Sequence, residues 1–387
     1  MTFLPPQTRI GSLMSVLIGA VTRDRADLAT PVKAAFQAVP RHLFIPARAL
    51  VCADGDETVI DRDTDPDAWW SAVYSAEPIV TQLDDGATTI GQGDGGYTSS
   101  SSAPGTVANF LELLNPAPGH RILEVGTGTG WTAALLCHLL GEHGSLTSIE
   151  VDAAIAEQAA KNLGEAGAHP HLLVGDGAEG CLDRAPFDRV HVTCGIHTLP
   201  YAWIEQCRPG AVIVAPYCPG FGANHALQLT VLPDGTAQGG FPGFASYMMM
   251  RSQRTTYPPK PDAASLHQQS TRVDPRTIAC APPGATLAIA ALTGLHLRTK
   301  KQDGGRFKAW LTNPADPAER AMIAWRPGDE VYPVVQVGER PVWDEAVDAY
   351  FRWVRSGRPG RTRFGMTVTP DGHSIWLDAP DNVLRRT

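Results

Sequence analysis

The stretch Arg121-Ile-Leu-Glu-Val-Gly-Thr-Gly-Thr-Gly-Trp131 decides the fold. Ile122 to Val125 is a short apolar run of the kind that forms a buried parallel strand. Gly126, Gly128 and Gly130 follow at once, and Trp131 to Leu140 then reads as a helix. A strand, a glycine turn and a helix make the first half of a βαβ unit. Glycines let the backbone pass close to a ligand, and the helix N-terminus aims amides at it.

That turn is shared by dinucleotide sites and S-adenosylmethionine (SAM) sites, so its surroundings decide. Glu124 is an acid inside the first strand. Leu146-Thr-Ser-Ile-Glu150 is a second strand ending in an acid placed for ribose hydroxyls. Leu172-Leu-Val-Gly-Asp-Gly177 is a third, ending around Asp176, and Pro186-Phe-Asp-Arg-Val-His-Val-Thr193 is a fourth. A cationic sulfonium tolerates acids near the turn and a pyrophosphate does not, which places SAM ahead of NAD and a methyltransferase ahead of a dehydrogenase.

These motifs, with Ala185-Pro-Phe-Asp188, resemble the SAM signatures of protein-L-isoaspartate O-methyltransferases. Val39-Pro-Arg-His-Leu-Phe-Ile-Pro46 and Ser102-Ala-Pro104 resemble two further signatures of that family, and the likeness runs from about Val32 to Pro216. The run Thr98-Ser-Ser-Ser-Ser-Ala-Pro104 and the tail from Arg363 to Asp378 resemble a narrower branch, whose members act in bacterial maturation of ribosomal peptides, both lanthipeptides and ATP-grasp-made graspetides.

The resemblance implies an α/β fold: a class I SAM-dependent methyltransferase with a Rossmann-like doubly wound sheet, an N-terminal helical cap and a C-terminal α/β extension. The expected boundaries are a cap over 1–78, a SAM core over 79–254, a linker over 255–275 and a C-terminal domain over 276–387. It implies cofactor contacts at Ser99, Glu124, Gly126, Thr127, Gly128, Gly130, Glu150, Val151, Asp176, Gly177 and Thr193, and an acceptor site at Ser102 with Ser101. Ser102 would orient the acceptor carboxylate. An aspartate is already ionised at neutral pH, its unperturbed pKa being about 3.9, so no strong base is needed. The expected substrate is an aspartate in a modified ribosomal precursor peptide, esterified on the way to aspartimide or isoaspartate. The alternatives are general isoaspartate repair and a peptide-binding subunit without turnover.

Bulk properties agree with a globular enzyme. The chain has 387 residues, 43% hydrophobic and 19% charged, enough for two domains with ample core. Its net charge of −8 disfavours nucleic acid and acidic membrane as partners. The N-terminus lacks the basic start of a signal peptide. Seven scattered cysteines, an odd count without a Cys-x-x-Cys pair, point to no disulfide framework, no zinc site and a cytoplasmic setting. A second protomer is a candidate partner.

Elsewhere, Thr30 to Val39 reads as a helix and Ala49 to Asp67 as an acidic loop. Trp69, Trp70 and Tyr74 read as an aromatic patch closing the cap, with a peptide-groove wall as the alternative. The serine run reads as a site loop before a helix over Val107 to Leu114. Ala153 to Gly164 and Gly195 to Arg208 read as helices, and Ala211 to Pro216 and His225 to Leu232 as strands. Thr255 to Arg276, rich in Pro, Gln and Ser, reads as a linker. Beyond it, Ala285 to Leu292, Arg306 to Leu311, Tyr332 to Val337 and Ile375 to Leu377 read as strands around a helix over Trp343 to Val354. His191 and His197 read as structural.

Overall fold

A computed structural model describes residues 7–23, 27–53, 55–255 and 266–384. The chain divides into two compact units, Met1–Cys194 with Ala202–Ala215, and Gly195–Tyr201 with Pro216–Thr387. Among the described residues no helix is long and apolar enough to cross a membrane.

The first unit opens with helices α1 (Gln7–Thr22) and α2 (Thr30–Ala38). Pro31 sits in the first turn of α2, where its missing N–H costs nothing, and Pro40 follows its end. α2 buries Val32, Ala35 and Phe36, and Phe36 meets Trp131 edge-on with ring centres 5.3 Å apart.

Ala49 to Asp67 is not a loop. It holds an antiparallel pair, β1 (Arg48–Ala53) and β2 (Asp56–Asp61), and the start of α3 (Pro66–Val73). β1 buries Ala49, Leu50 and Val51, so three consecutive apolar residues outweigh the acidic neighbours that suggested a loop. α3 begins where the Asp65 carboxylate accepts the N–H of Ala68, an N-cap. Trp69, Trp70 and Tyr74 are buried, Trp69 donates to the carbonyl of Pro46, and Nδ1 of His42 lies 2.7 Å from the Tyr74 hydroxyl. They fill the cap's interior, as the patch reading expects.

β3 (Ile79–Leu83) and β4 (Tyr97–Ser101) complete a four-stranded sheet in the order β2-β1-β3-β4. The serine run expected as a loop is therefore mostly an edge strand, with Ser101 opposite Ile79 and Ser100 opposite Val80. Its small hydroxyls pair without crowding, and Pro104 opens helix α4 (Pro104–Leu114) directly after it.

The glycine motif behaves as read. β5 (Arg121–Val125) leads through the turn into α5 (Trp131–Leu140), followed by β6 (Ser145–Glu150), α6 (Ala153–Glu165), β7 (His171–Val174), β8 (Phe187–Val192), the single helical turn α7 (Ala202–Glu205) and β9 (Cys207–Tyr217). These strands are parallel in the order β9-β8-β5-β6-β7. β5 lies between β6 and β8, so the order reverses there, and ligands bind at the carboxyl ends of strands at such a point. The helix expected over Gly195 to Arg208 shrinks to α7. Ile196 instead bridges Tyr217 as extended chain.

The second unit contains two antiparallel arrays. β10 (His225–Val231), the strand read over His225 to Leu232, and β11 (Ala237–Phe244) form an antiparallel hairpin. The tail strands β17 (Phe364–Thr369) and β18 (Gly372–Leu377) add to it, Gly239 facing Met366 across β11 and β17. The other array has the order β12-β16-β15-β14-β13, from β12 (Leu266–Thr271), β13 (His296–Lys301), β14 (Phe307–Asn313), β15 (Asp316–Trp325) and β16 (Tyr332–Val337). It packs Leu311, Ala321, Ile323 and Val334 against α9 (Pro283–Thr293) and α10 (Val342–Arg355). Helix α8 (Pro275–Ala279) precedes α9.

Ala285 to Leu292 is helix, not strand: an apolar run of eight residues fits either, but Ala is the strongest helix former, Pro283 starts the helix and Gly294, at φ 65°, ends it. The stretch read as a linker contains β12, whose polar side chains belong to an edge strand paired with β16. Residues 256–265 of it lie outside the described part.

Candidate functional site

Gly126, Gly128 and Gly130 all have left-handed backbone, at φ 95°, 55° and 94°. A Cβ on Gly126 would stand 2.5 Å from Oγ1 of Thr193, so both conformation and space demand glycine there. The turn is fixed by hydrogen bonds to the end of β6. Gly126 N–H donates to the Ile149 carbonyl at 2.8 Å and Gly128 N–H to Oε2 of Glu150 at 2.9 Å. Oε1 of Glu150 accepts the N–H of Asp152 at 3.1 Å. Glu150 is thus a strand-end acid held by two backbone amides, with lone pairs left on both oxygens.

Beneath the turn runs a buried chain. Thr127 Oγ1 lies 2.6 Å from Ser148 Oγ, and Ser148 donates to Oε2 of Glu124 at 2.6 Å. Glu124 is wholly buried, and burial pushes its pKa up to about 8, with the charge of Glu150 acting the same way and the Ser148 bond opposing. His191 on β8 is also wholly buried, edge-on to Phe110, and burial pushes it down to about 4. Its Nδ1 is 3.9 Å from Oε1 of Glu124, and neither of these atoms has a hydrogen bond. Burial favours the neutral form of both groups, and Glu124 braces the turn from beneath through Ser148.

The third strand end is packed tightly. Asp176 accepts the N–H of Ala178, and a Cβ on Gly177 would fall 2.4 Å from Cγ1 of Val125. Trp203 donates to the Gly177 carbonyl at 2.8 Å. Thr193, after β8, donates to the Val125 carbonyl at 3.1 Å and also reaches the Gly126 carbonyl. Val151, next to Glu150, is exposed. Sequence thus places the turn, Glu124, Glu150 and Thr193 together at the carboxyl end of β5.

β4 comes close to the same turn. The Ser100 carbonyl is 3.6 Å from where a Cβ on Gly128 would stand. Ser99 is buried and accepts from Thr81 at 3.2 Å. Ser101 is buried and its hydroxyl accepts from Nε of Arg41 at 3.3 Å, whereas Ser102 is only half-buried. Of the two serines expected at the acceptor site, Ser101 is committed to internal support. Arg41 and Ser148 were not picked out from sequence. Arg41 lies within the Val39-Pro-Arg-His signature, which was a signal. A lone strand serine such as Ser148 gives none.

His197, in the second unit, approaches the Cys218 carbonyl through Nδ1 and Thr255 Oγ1 through Nε2 at 3.3 Å. Both of its ring nitrogens thus have partners.

A profile of the family described as Protein-L-isoaspartate(D-aspartate) O-methyltransferase (PCMT) matches residues 72–232. A protein-L-isoaspartate O-methyltransferase of Methanopyrus kandleri is 39% identical over 193 residues, covering 49% of this chain and 69% of that protein. Protein-L-isoaspartate O-methyltransferase 1 of Archaeoglobus fulgidus is 32% identical over 195 residues, 50% of this chain and 74% of the relative. A solved structure titled protein-L-isoaspartate O-methyltransferase superposes with a TM-score of 0.54 at 19% identity, over 95% of this chain and 99% of its own. At that identity it shows a common fold, and its coverage extends the likeness well past the part shared in sequence. The glycine turn, the strand-end acids and these relatives agree: the chain belongs to the protein-L-isoaspartate O-methyltransferase family of SAM-dependent carboxyl methyltransferases.

Proposed function

We propose that the protein methylates the free carboxylate of an L-isoaspartyl residue in a peptide or protein, with SAM as donor. The observation that carries this reading is the shared sequence of the catalytic half, 39% identical to a protein-L-isoaspartate O-methyltransferase across 69% of its length. The site fits the donor. Left-handed glycines keep three positions of the turn free of side chains, and Glu150 retains acceptor capacity for a ribose diol. Glu124, Gly126, Thr127, Gly128, Gly130, Val151, Asp176, Gly177, Thr193 and Ser99 would surround or support it.

SAM supplies a methyl carbon already activated by its sulfonium. The chain's own residues have to position the acceptor and exclude water. A carboxylate acceptor, with a pKa of about 3.3–3.7 for an α-carboxyl, arrives ionised and needs no base. Ser102 would donate a hydrogen bond to one carboxylate oxygen and leave the other for attack. The resulting ester then reacts without further help: the next backbone nitrogen attacks the ester carbonyl, loses its proton and expels methanol, closing a succinimide.

A narrower reading is esterification of an ordinary aspartate in a modified ribosomal peptide of the lanthipeptide or graspetide type. It rests on the serine run and the tail from Arg363 to Asp378. The extra C-terminal region does not favour it, because a solved structure bearing the isoaspartate methyltransferase title aligns over 95% of this chain. One experiment separates the two. Matched isoaspartyl and aspartyl peptides, and a macrocyclic precursor with its linear form, are incubated with SAM and followed by mass spectrometry. The isoaspartyl peptide should gain one methylene and then lose methanol while its aspartyl twin stays unchanged. Methylation of the macrocycle alone sinks the proposal in favour of peptide maturation.

A further inference from the structure

Arg41 lies in the short turn Arg41–Phe44 after α2, wholly buried. Such a guanidinium normally faces a carboxylate. This one bonds carbonyls and a hydroxyl instead. Nη1 donates to Val73 at 3.1 Å and Ser75 at 3.3 Å. Nη2 donates to Glu77 at 3.0 Å, Ser101 at 3.2 Å and Ser102 at 3.1 Å. Nε donates to Ser101 Oγ at 3.3 Å, and the guanidinium sits 5.3 Å from the centre of the Trp131 ring, at the first residue after the glycine turn.

The arrangement at Ser102 is specific. Its two flanking peptide groups present the carbonyls of Ser101 and Ser102, and one nitrogen of Arg41 holds both. Pinning those two planes fixes φ and ψ of Ser102, and with them the direction of its Cα–Cβ bond. We infer that Arg41 is a positioning residue for methyl transfer: it aims the Ser102 hydroxyl at the acceptor carboxylate while anchoring β4 to the start of α5. This rests on the reading of Ser102 as the acceptor-orienting hydroxyl. Burial lowers the Arg41 pKa to about 9, so it stays charged at neutral pH and keeps every N–H for donation. A lysine retains the charge but presents a compact ammonium in place of the planar fork, so it cannot hold both planes.

The test is a double-mutant cycle on the full chain with Arg41→Lys, Ser102→Ala and the pair together. It reads kcat/KM on a synthetic isoaspartyl peptide, SAM affinity by calorimetry, and melting temperature. Arg41→Lys should lower kcat/KM by about tenfold or more with SAM affinity unchanged, and in the Ser102→Ala background it should cause no further loss. A merely structural role gives losses that add, or a parallel loss of SAM binding, and either result overturns the inference. If Arg41→Lys does not fold, Arg41→Gln is read in its place; failure of both makes the residue a determinant of folding and also overturns it. If Ser102→Ala alone leaves kcat/KM intact, the acceptor reading of Ser102 falls and takes this inference with it. A wild-type enzyme inactive on isoaspartyl peptides sinks the proposed function as well.

Discussion

The Gly128 N–H donates to one oxygen of the Glu150 carboxylate at 2.9 Å, and the other oxygen accepts the Asp152 N–H at 3.1 Å. A single acid thus shapes the glycine turn and the mouth of the next helix. Glu150→Ala should weaken SAM binding by about 1–3 kcal/mol, the range for losing a charged hydrogen-bond partner. Glu150→Gln, which keeps one carbonyl acceptor, should lose less. Calorimetry showing unchanged SAM affinity in the folded alanine variant removes Glu150 from the site.

Gly126 faces two separate penalties, its φ of 95° and the nearness of Thr193 Oγ1 to any added Cβ. They can be separated. Gly126→Ala should destabilise the protein and abolish tight SAM binding. Adding Thr193→Ala removes the clash and should recover part of the melting temperature. The left-handed conformation still costs about 1–2 kcal/mol for a residue with a Cβ, so recovery should stay incomplete. Full recovery in thermal melts disproves the backbone half of this account.

The buried pair of Glu124 and His191 makes stability depend on pH in a direction that can be worked out. Glu124 is raised in the folded state from 4.5 to about 8. Its neutral form is the one the fold accepts, so its contribution is fully present below the unfolded value and is lost as pH rises through 8. His191 is lowered from 6.5 to about 4, so its contribution is present above 6.5 and fades as pH falls towards 4. Glu124→Gln mimics the neutral acid. Between pH 5 and 8.5 the wild-type melting temperature should therefore fall relative to that of the variant. Parallel curves mean that Glu124 is not held neutral.

Legibility in the sequence followed the strength of local constraint. Arg121 to Leu140 was readable because strand, positive-φ glycines and helix each leave a separate mark. Glu150 and Asp176 stand out as candidates because an acid just after an apolar run is unusual. The serine run misled: Ser99 to Ser101 form an edge strand whose partners lie in Ile79 to Leu83, and pairing across that distance leaves no local pattern. The run Ala285 to Leu292 is buried on nearly every side, which erases the periodicity that separates helix from strand. Arg41 stands inside a signature, but its burial is hidden for a related reason. Charged residues are rarely wholly buried, and only the three-dimensional convergence of carbonyls from residues 73, 75, 77, 101 and 102 makes it tolerable.

Ser102 and its neighbour Ser101 sit in different surroundings. Ser101 is buried and its hydroxyl is taken by Arg41, whereas Ser102 is half-buried with both flanking carbonyls held. A hydroxyl on a pinned backbone has only its χ1 and O–H torsions left to order when it donates to an incoming carboxylate. A hydrogen bond to a charged group contributes about 1.5–3 kcal/mol, so Ser102→Ala should lower turnover of an isoaspartyl peptide by one to two decades. SAM affinity should stay within experimental error, since the acceptor role gives Ser102 a bond to the peptide carboxylate and none to the donor. Ser102→Thr keeps the hydroxyl but adds a methyl group, so it should retain more activity than alanine wherever the space admits that methyl. The measurement is initial rate against peptide concentration at saturating SAM, with calorimetry alongside. Equal rates for wild type and alanine variant end the assignment, and a joint loss of SAM affinity reassigns Ser102 to the cofactor.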